Sequence, residues 1–288
     1  MTARQRQDDD LVDAGAREAF EDADLYDREW HRRRADANFY RLLARERLGF
    51  GAPTPALDLA CGTGRVLVPL LRDGHTVVGL DHSGAMLARA NAKVARLSPA
   101  RRARCLLMRG DLRAFAFARR FGFAVSAFHS VQHLVDDKDL LALFRNVHAA
   151  LAPDGWFAFD VLPPLGRWLA RDPARRWAKT TLTHPRTGER LIYTTNHTYD
   201  AERKALHMRL YYQPVDKSGR PQGPERVRRL CHRQLWPADV ASLLERAGFT
   251  LMATYADFDV NSACFAAALD EDCHEHVYLA RPMARRQG

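Results

Sequence analysis

The chain has 288 residues, 47% hydrophobic and 27% charged, with a formal net charge of +9 at pH 7. It can bury a sizeable core as one elaborated domain or two, its composition is that of a soluble globular protein, and no apolar run is long enough to span a bilayer. The five cysteines are scattered and odd in number, with no CxxC pair, which argues against a disulfide framework and a zinc knuckle and fits a reducing cytoplasm.

Residues 1–10 are polar and acidic, lack the apolar stretch of a secretory signal, and read as disordered. From Leu11 the pattern turns helical, with Val12, Ala16, Ala19 and Phe20 on one face and Leu25 and Tyr26 beyond. A second helix is expected over Asp36 to Leu48, ended by the Gly49 to Pro53 stretch. Strand and helix then alternate. Strands are expected at Ala56 to Ala60, Thr76 to Leu80, Cys105 to Met108, Gly122 to Phe128 and Trp156 to Leu162. Helices are expected at Arg65 to Arg72, at Gly84 to Leu97 with Ser83 as N-cap, and from Asp136 or Asp137 to Leu151, stopped by Ala152 to Gly155. This rhythm implies a parallel sheet with helices on both faces.

From about Gly166 to Trp236 the rhythm changes to strands joined by hairpin-style turns: Thr180 to Thr183, Arg190 to Tyr199, Ala205 to Val215 and Glu225 to Leu235. A helix from Ala238 to Ala247, started by Pro237, and strands at Phe249 to Tyr255 and Glu275 to Leu279 return to the core pattern, before a basic tail. The expected fold is therefore α/β: a Rossmann-like, doubly wound, mostly parallel seven-stranded sheet with an N-terminal helical lid and an antiparallel β insert. The expected domains are residues 1–50 (tail and lid), 51–165 with 237–288 (core), and 166–236 (insert, on the substrate side).

The stretch Asp58-Leu59-Ala60-Cys61-Gly62-Thr63-Gly64 joins a strand to a glycine turn and a helix, the opening of a βαβ unit that binds a nucleotide-like ligand. Leu67 stands where the dinucleotide fingerprint needs its third glycine, and the Asp58 carboxylate would repel a pyrophosphate. A nicotinamide-dependent oxidoreductase is therefore placed low, and a ligand with positive charge suits the site better. The D-x-A-C-G-T-G motif resembles the first motif of the class I S-adenosylmethionine (SAM)-dependent methyltransferases. Asp81-His82-Ser83 at the second strand end is similar to that family's second motif, and Arg109-Gly110-Asp111-Leu112 to its third. Leu25-Tyr26-Asp27, Phe39-Tyr40 and Ser126 to Leu134 further resemble small-molecule N-methyltransferases of the glycine/sarcosine and aminosugar kind.

The resemblance implies SAM as cofactor and S-adenosylhomocysteine as product. Asp58, Ala60, Cys61, Gly62 and Gly64 would lie against the methionine end, with Asp58 serving the ammonium. Asp81, with His82 beside it, would accept the ribose hydroxyls, and Asp111 and Leu112 would hold the adenine. Phe128 and Tyr40 complete the implied cofactor site, although Tyr40 also reads as core on an amphipathic helix. Methyl transfer is an in-line displacement in which positioning dominates, but an amine must be neutral and a hydroxyl needs a base. His133 is the first candidate base and His129 the second, with helix capping or packing as the plain alternative for each, while Tyr26 could close over the donor site.

Other groups carry less. His274-Glu275-His276 has no third ligand at metal spacing and reads as surface, so no metal site is expected. Asp257 could line a substrate mouth or decorate a loop. The basic runs, such as Arg32 to Arg34 and Arg226 to Arg229, are dispersed, and no nucleic-acid-binding signature accompanies them. The sequence reads as a cytoplasmic SAM-dependent methyltransferase acting on an amine or hydroxyl of a small molecule, with no membrane association and compatible with a homodimer. A nucleic-acid methyltransferase and a non-catalytic SAM-binding protein are its rivals.

Overall fold

The computed structural model describes residues 20–261 and 273–283. The expected helix over Leu11 to Ala19, the disordered first residues, the end of the basic tail and Cys264 lie outside these. In chain order the elements are α1 (Ala23–Trp30), α2 (Ala35–Leu48), β1 (Ala56–Leu59), α3 (Leu67–Arg72), β2 (Val77–Asp81), α4 (Gly84–Val94), α5 (Pro99–Arg102), β3 (Cys105–Arg109), β4 (Phe121–Ser126), α6 (Asp137–Ala150), β5 (Leu151–Val161), α7 (Gly166–Leu169), β6 (Trp177–Thr183), β7 (Arg190–Asp200), β8 (Ala205–Val215), β9 (Arg226–Arg233), α8 (Pro237–Arg246), β10 (Phe249–Ala256) and β11 (His276–Pro282). They form two compact units: a core within 34–163 and 235–283, and a second unit within 20–33 and 164–234.

The core is built on a seven-stranded sheet of order β10-β11-β5-β4-β1-β2-β3. Every residue of β1 and β4 is buried, as a parallel sheet covered on both faces requires. One face carries α6 and α8, whose Leu140, Leu143, Phe144, Val147, Val240 and Leu244 pack with Phe157 and Phe159 of β5. The other carries α2 and α3, whose Phe39, Tyr40, Leu43, Leu67 and Leu70 pack with Val77 and Phe123. Because β1 pairs in parallel with both β2 and β4, the winding reverses there and opens a crevice at the carboxyl ends of these strands. β11 runs antiparallel to β5 and to β10, so the residues that enter β11 arrive at the same edge.

Three expectations are adjusted. β4 ends at Ser126, because Phe128 and His129 adopt left-handed φ values of 62° and 59° that no strand continues through. The expected stop at Ala152 to Gly155 lies within β5, which starts directly after α6 and absorbs the extra residues where pairing jumps from Phe121↔Leu151 to Phe123↔Trp156. α2, grouped in sequence with the N-terminal lid, belongs to the core unit because its apolar face is buried there.

The second unit holds an antiparallel sheet of order β6-β7-β8-β9. α1 packs on it through Leu25, which meets Leu191 and Tyr212. Asp22 caps α1 by accepting the Leu25 N–H at 2.9 Å, and its other oxygen lies 2.9 Å from His184 Nε2. The Tyr212 hydroxyl donates to Glu29 at 3.2 Å, and burial pushes the Glu29 carboxyl up to about 7. Among the described residues, Cys61, Cys105, Cys231 and Cys273 form no disulfide. Among the described residues no helix is long and apolar enough to cross a membrane.

Candidate active site

The glycine loop leaves β1 through Ala60 at φ 53°, and Gly62 and Gly64 at φ 53° and 81° carry it into α3. The Gly64 N–H closes the turn on the Cys61 carbonyl at 2.8 Å. Glycine tolerates such angles without steric cost and lets backbone approach a ligand. Thr63 is fixed from α4, where Lys93 Nζ donates to its hydroxyl at 2.9 Å. Cys61 is buried, and burial raises its thiol well above the usual range, which disfavours a reactive thiolate.

Asp58 is 1% exposed beneath this loop, and its Oδ2 has no hydrogen-bond partner. Burial, and then the charge of Asp81, push its carboxyl up to about 8. A buried carboxylate with an empty oxygen is stabilised by an incoming cation. Asp81 ends β2 and spans two segments: Oδ2 accepts the Gly62 N–H at 2.7 Å and Oδ1 the Ser83 N–H at 2.8 Å. Burial raises the Asp81 carboxyl despite these bonds.

Asp111 lies beyond β3, where the Arg113 guanidinium grips its carboxylate at 2.7–3.1 Å and holds it below the usual range. His82 is exposed, and its carbonyl accepts Arg109 Nε at 3.0 Å; Leu112 packs against the core. Phe128 carries the Arg65 guanidinium 4.7 Å from its ring centre, and Arg65 Nη2 in turn donates to both oxygens of buried Asp36 of α2, at 2.6 and 2.8 Å.

The edge next to β5 holds a cluster that sequence reasoning missed. Asp160 is fully buried and accepts three donors: the Tyr40 hydroxyl at 2.6 Å, the Phe128 N–H at 2.9 Å and the His129 N–H at 2.8 Å. His129 Nε2 lies 2.5 Å from Glu275 Oε2 and 3.6 Å from Asp160 Oδ2. The surface reading of the 274–276 stretch is corrected, since Glu275 and His276 are 7% and 1% exposed. Strand direction is the reason: β11 enters the sheet here, and Asp257 Oδ1 draws the stretch in by accepting the His274 and Glu275 N–H groups at 2.7 and 2.8 Å. Ligand atoms of His129, Asp160 and Glu275 fall within 4.8 Å of one another, close enough for a metal. Asp160 is already bonded to three protein donors and the imidazole faces a carboxylate, so the chemistry is that of a hydrogen-bond network.

Tyr40 is fully buried, and its hydroxyl donates to Asp160. His133 ends a 3-10 turn over Ser130–His133, and burial, then the charge of His129, push its imidazole down to about 4. Tyr26 is half-buried on α1 in the second unit, edge-on to Phe20 at 6.1 Å. The signal for Asp160 was present: like Asp58 and Asp81 it ends an apolar strand run, Phe157-Ala158-Phe159. Glu275 had none, because an acidic residue ahead of a strand is common.

Residues 56–155 match the methyltransferase domain family. The core shares its fold with solved methyltransferase structures. The chain is 33% identical over 155 residues to dTDP-3-amino-3,6-dideoxy-alpha-D-glucopyranose N,N-dimethyltransferase of Streptomyces fradiae, covering 49% of this chain and 56% of that protein. The fold matches a SAM-dependent methyltransferase of Clostridium acetobutylicum with TM-score 0.70 at 18% identity, over 90% of this chain and 97% of that one. It also matches the glycopeptide N-methyltransferase MtfA in complex with S-adenosylhomocysteine, with TM-score 0.55 at 25% identity, over 85% and 87% of the two chains. The chain spans about half the length of the curated relatives it matches.

Proposed function

We propose that this protein is a cytoplasmic SAM-dependent methyltransferase that methylates an amine of a small molecule. The observation that carries the reading is Asp58: a buried carboxylate with an unpartnered oxygen, under a glycine loop, at the switch point of the sheet. That group fits a ligand whose methionine end is cationic, because a cation beside it favours its ionised form. Gly62 and Gly64 would hold the methionine end, Asp81 the ribose, and Asp111 with Leu112 the adenine. When bound, SAM supplies an electrophilic methyl group on a sulfonium. The protein's own work is then to hold the acceptor nitrogen in line, exclude water and take up a proton. An amine acceptor is favoured by the curated aminosugar N,N-dimethyltransferases at 33% and 30% identity.

The test is calorimetric titration with SAM and S-adenosylhomocysteine, followed by a methyl-transfer screen over amino-sugar nucleotides, other small amines and hydroxylated metabolites. Micromolar binding of both ligands and turnover on an amine are expected. Failure of both ligands to bind would overturn the reading.

A further inference from the structure

We propose that Glu275 is a positioning residue that keeps the Nε2–H of His129 turned toward its carboxylate, so that His129 rather than His133 takes the proton released by the acceptor nitrogen. The proposal rests on the methyltransferase reading and adds to it the route of the proton.

Two consecutive non-glycine residues, Phe128 and His129, sit at positive φ one residue beyond β4. Such angles cost energy and persist only where surroundings over-determine them. Here Asp160 does so by accepting both of their N–H groups. The strained turn aims the His129 ring at Glu275, with 2.5 Å between Nε2 and Oε2 in a buried setting. Glu275 is itself anchored: its N–H bonds to Asp257 Oδ1 at 2.8 Å, and the next residue, His276, pairs with Val161 at the end of β5. A base whose ring is fixed by a carboxylate, which is fixed in turn by the fold, is the arrangement that selects one imidazole tautomer.

The proton balance follows. With Nε2–H donated to Glu275, the basic nitrogen of the ring is Nδ1. The acceptor's N–H bond breaks with its electron pair left on nitrogen, the proton passes to Nδ1, and the resulting imidazolium is balanced by the Glu275 carboxylate. His133 suits this work less, since burial holds its imidazole at about 4, far from a working pH near neutrality.

The first experiment needs no acceptor. Ring-nitrogen NMR on the 15N-labelled full chain, with the His129 signals assigned by loss in His129→Gln, should show neutral His129 with its proton on Nε2. The preference should vanish in Glu275→Ala. A wild-type ring protonated on Nδ1 overturns the proposal, and that spectrum decides even where Glu275→Ala fails to fold. The second experiment uses the methyl-transfer assay. Glu275→Gln should lower kcat by about 10- to 100-fold, leave KM for SAM within about twofold, and have no further effect in the His129→Gln background; Glu275→Asp should recover part of the rate. An unchanged kcat, or losses that multiply in the double variant, would overturn it. A wild-type protein that binds no SAM sinks the methyltransferase reading instead, while the ring spectrum still reports on the pair.

Discussion

Asp81 accepts the backbone N–H of Gly62 at 2.7 Å, so the residue that would bind the ribose also braces the turn that would meet the methionine end. Its other oxygen holds the Ser83 N–H at the start of α4. Asp81→Asn keeps the shape but can accept through one oxygen alone. It should weaken SAM binding by tenfold or more and lower stability by roughly 1–2 kcal/mol, since bonds to a charged acceptor are worth about that much. Calorimetry and thermal melts read the two losses separately. Weakened binding with an unchanged melt would mean that the brace contributes nothing to the fold.

Asp58 gives a pH dependence with a definite sign. Its carboxyl is held up to about 8 in the absence of a cation, so it is protonated at neutral pH. A bound ammonium favours the ionised form, and binding therefore releases a proton. SAM affinity should rise with pH from 6 to 8, by up to about tenfold per pH unit, and Asp58→Asn should flatten the rise. Titration in two buffers of different ionisation enthalpy measures the proton directly. Proton uptake would contradict the assignment.

Gly79 lies at the centre of β2, where an added Cβ would stand 2.6 Å from Leu67 Cδ1, 2.9 Å from Cys61 Sγ and 2.9 Å from Leu107 Cδ2. Gly79→Ala should cost about 1–3 kcal/mol as an overpacked core substitution. Because Cys61 belongs to the glycine loop, SAM affinity should fall as well. Denaturant unfolding with a companion titration checks both.

His133 predicts acid sensitivity. Its folded value of about 4 lies below the ordinary value near 6.5. The unfolded chain therefore binds the proton first as pH falls, so the stabilising contribution is complete above about 6.5 and is lost on the way down to about 4. His133→Gln should narrow the gap in stability between pH 7 and pH 5 by on the order of 1–2 kcal/mol. A His133→Gln melt that follows wild type at every pH would refute this.

The strand-end carboxylates and the glycine turn were legible in the sequence because their determinants are local. Asp58, Asp81 and Asp111 each follow a strand run within a few residues, and a glycine turn announces its own geometry. Strand alternation and the shift to hairpins gave the two sheets for the same reason. The cluster around Asp160 was not legible. Asp160 and Glu275 are brought together by β11 running antiparallel to β5, a pairing between distant stretches that no short pattern encodes. The left-handed pair Phe128 and His129 was equally hidden, because the Asp160 carboxylate that accepts both of their N–H groups comes from the far side of α6 in the chain. Tyr40 resisted reading for the opposite reason: an aromatic residue on an amphipathic helix suits core and pocket alike, and its hydroxyl partner sits 120 residues away.

The segment that matches the methyltransferase domain family stops at residue 155, inside β5 and short of Asp160. Asp58, Asp81 and Asp111 lie within that block, whereas Asp160 and Glu275 come from the chain that follows it. The crevice thus joins side chains of the matched segment to side chains of the chain that follows it. Transplanting residues 56–155 into a relative would carry the glycine loop and its carboxylates across intact, and would leave His129 facing whatever partners the host's own closing strands provide.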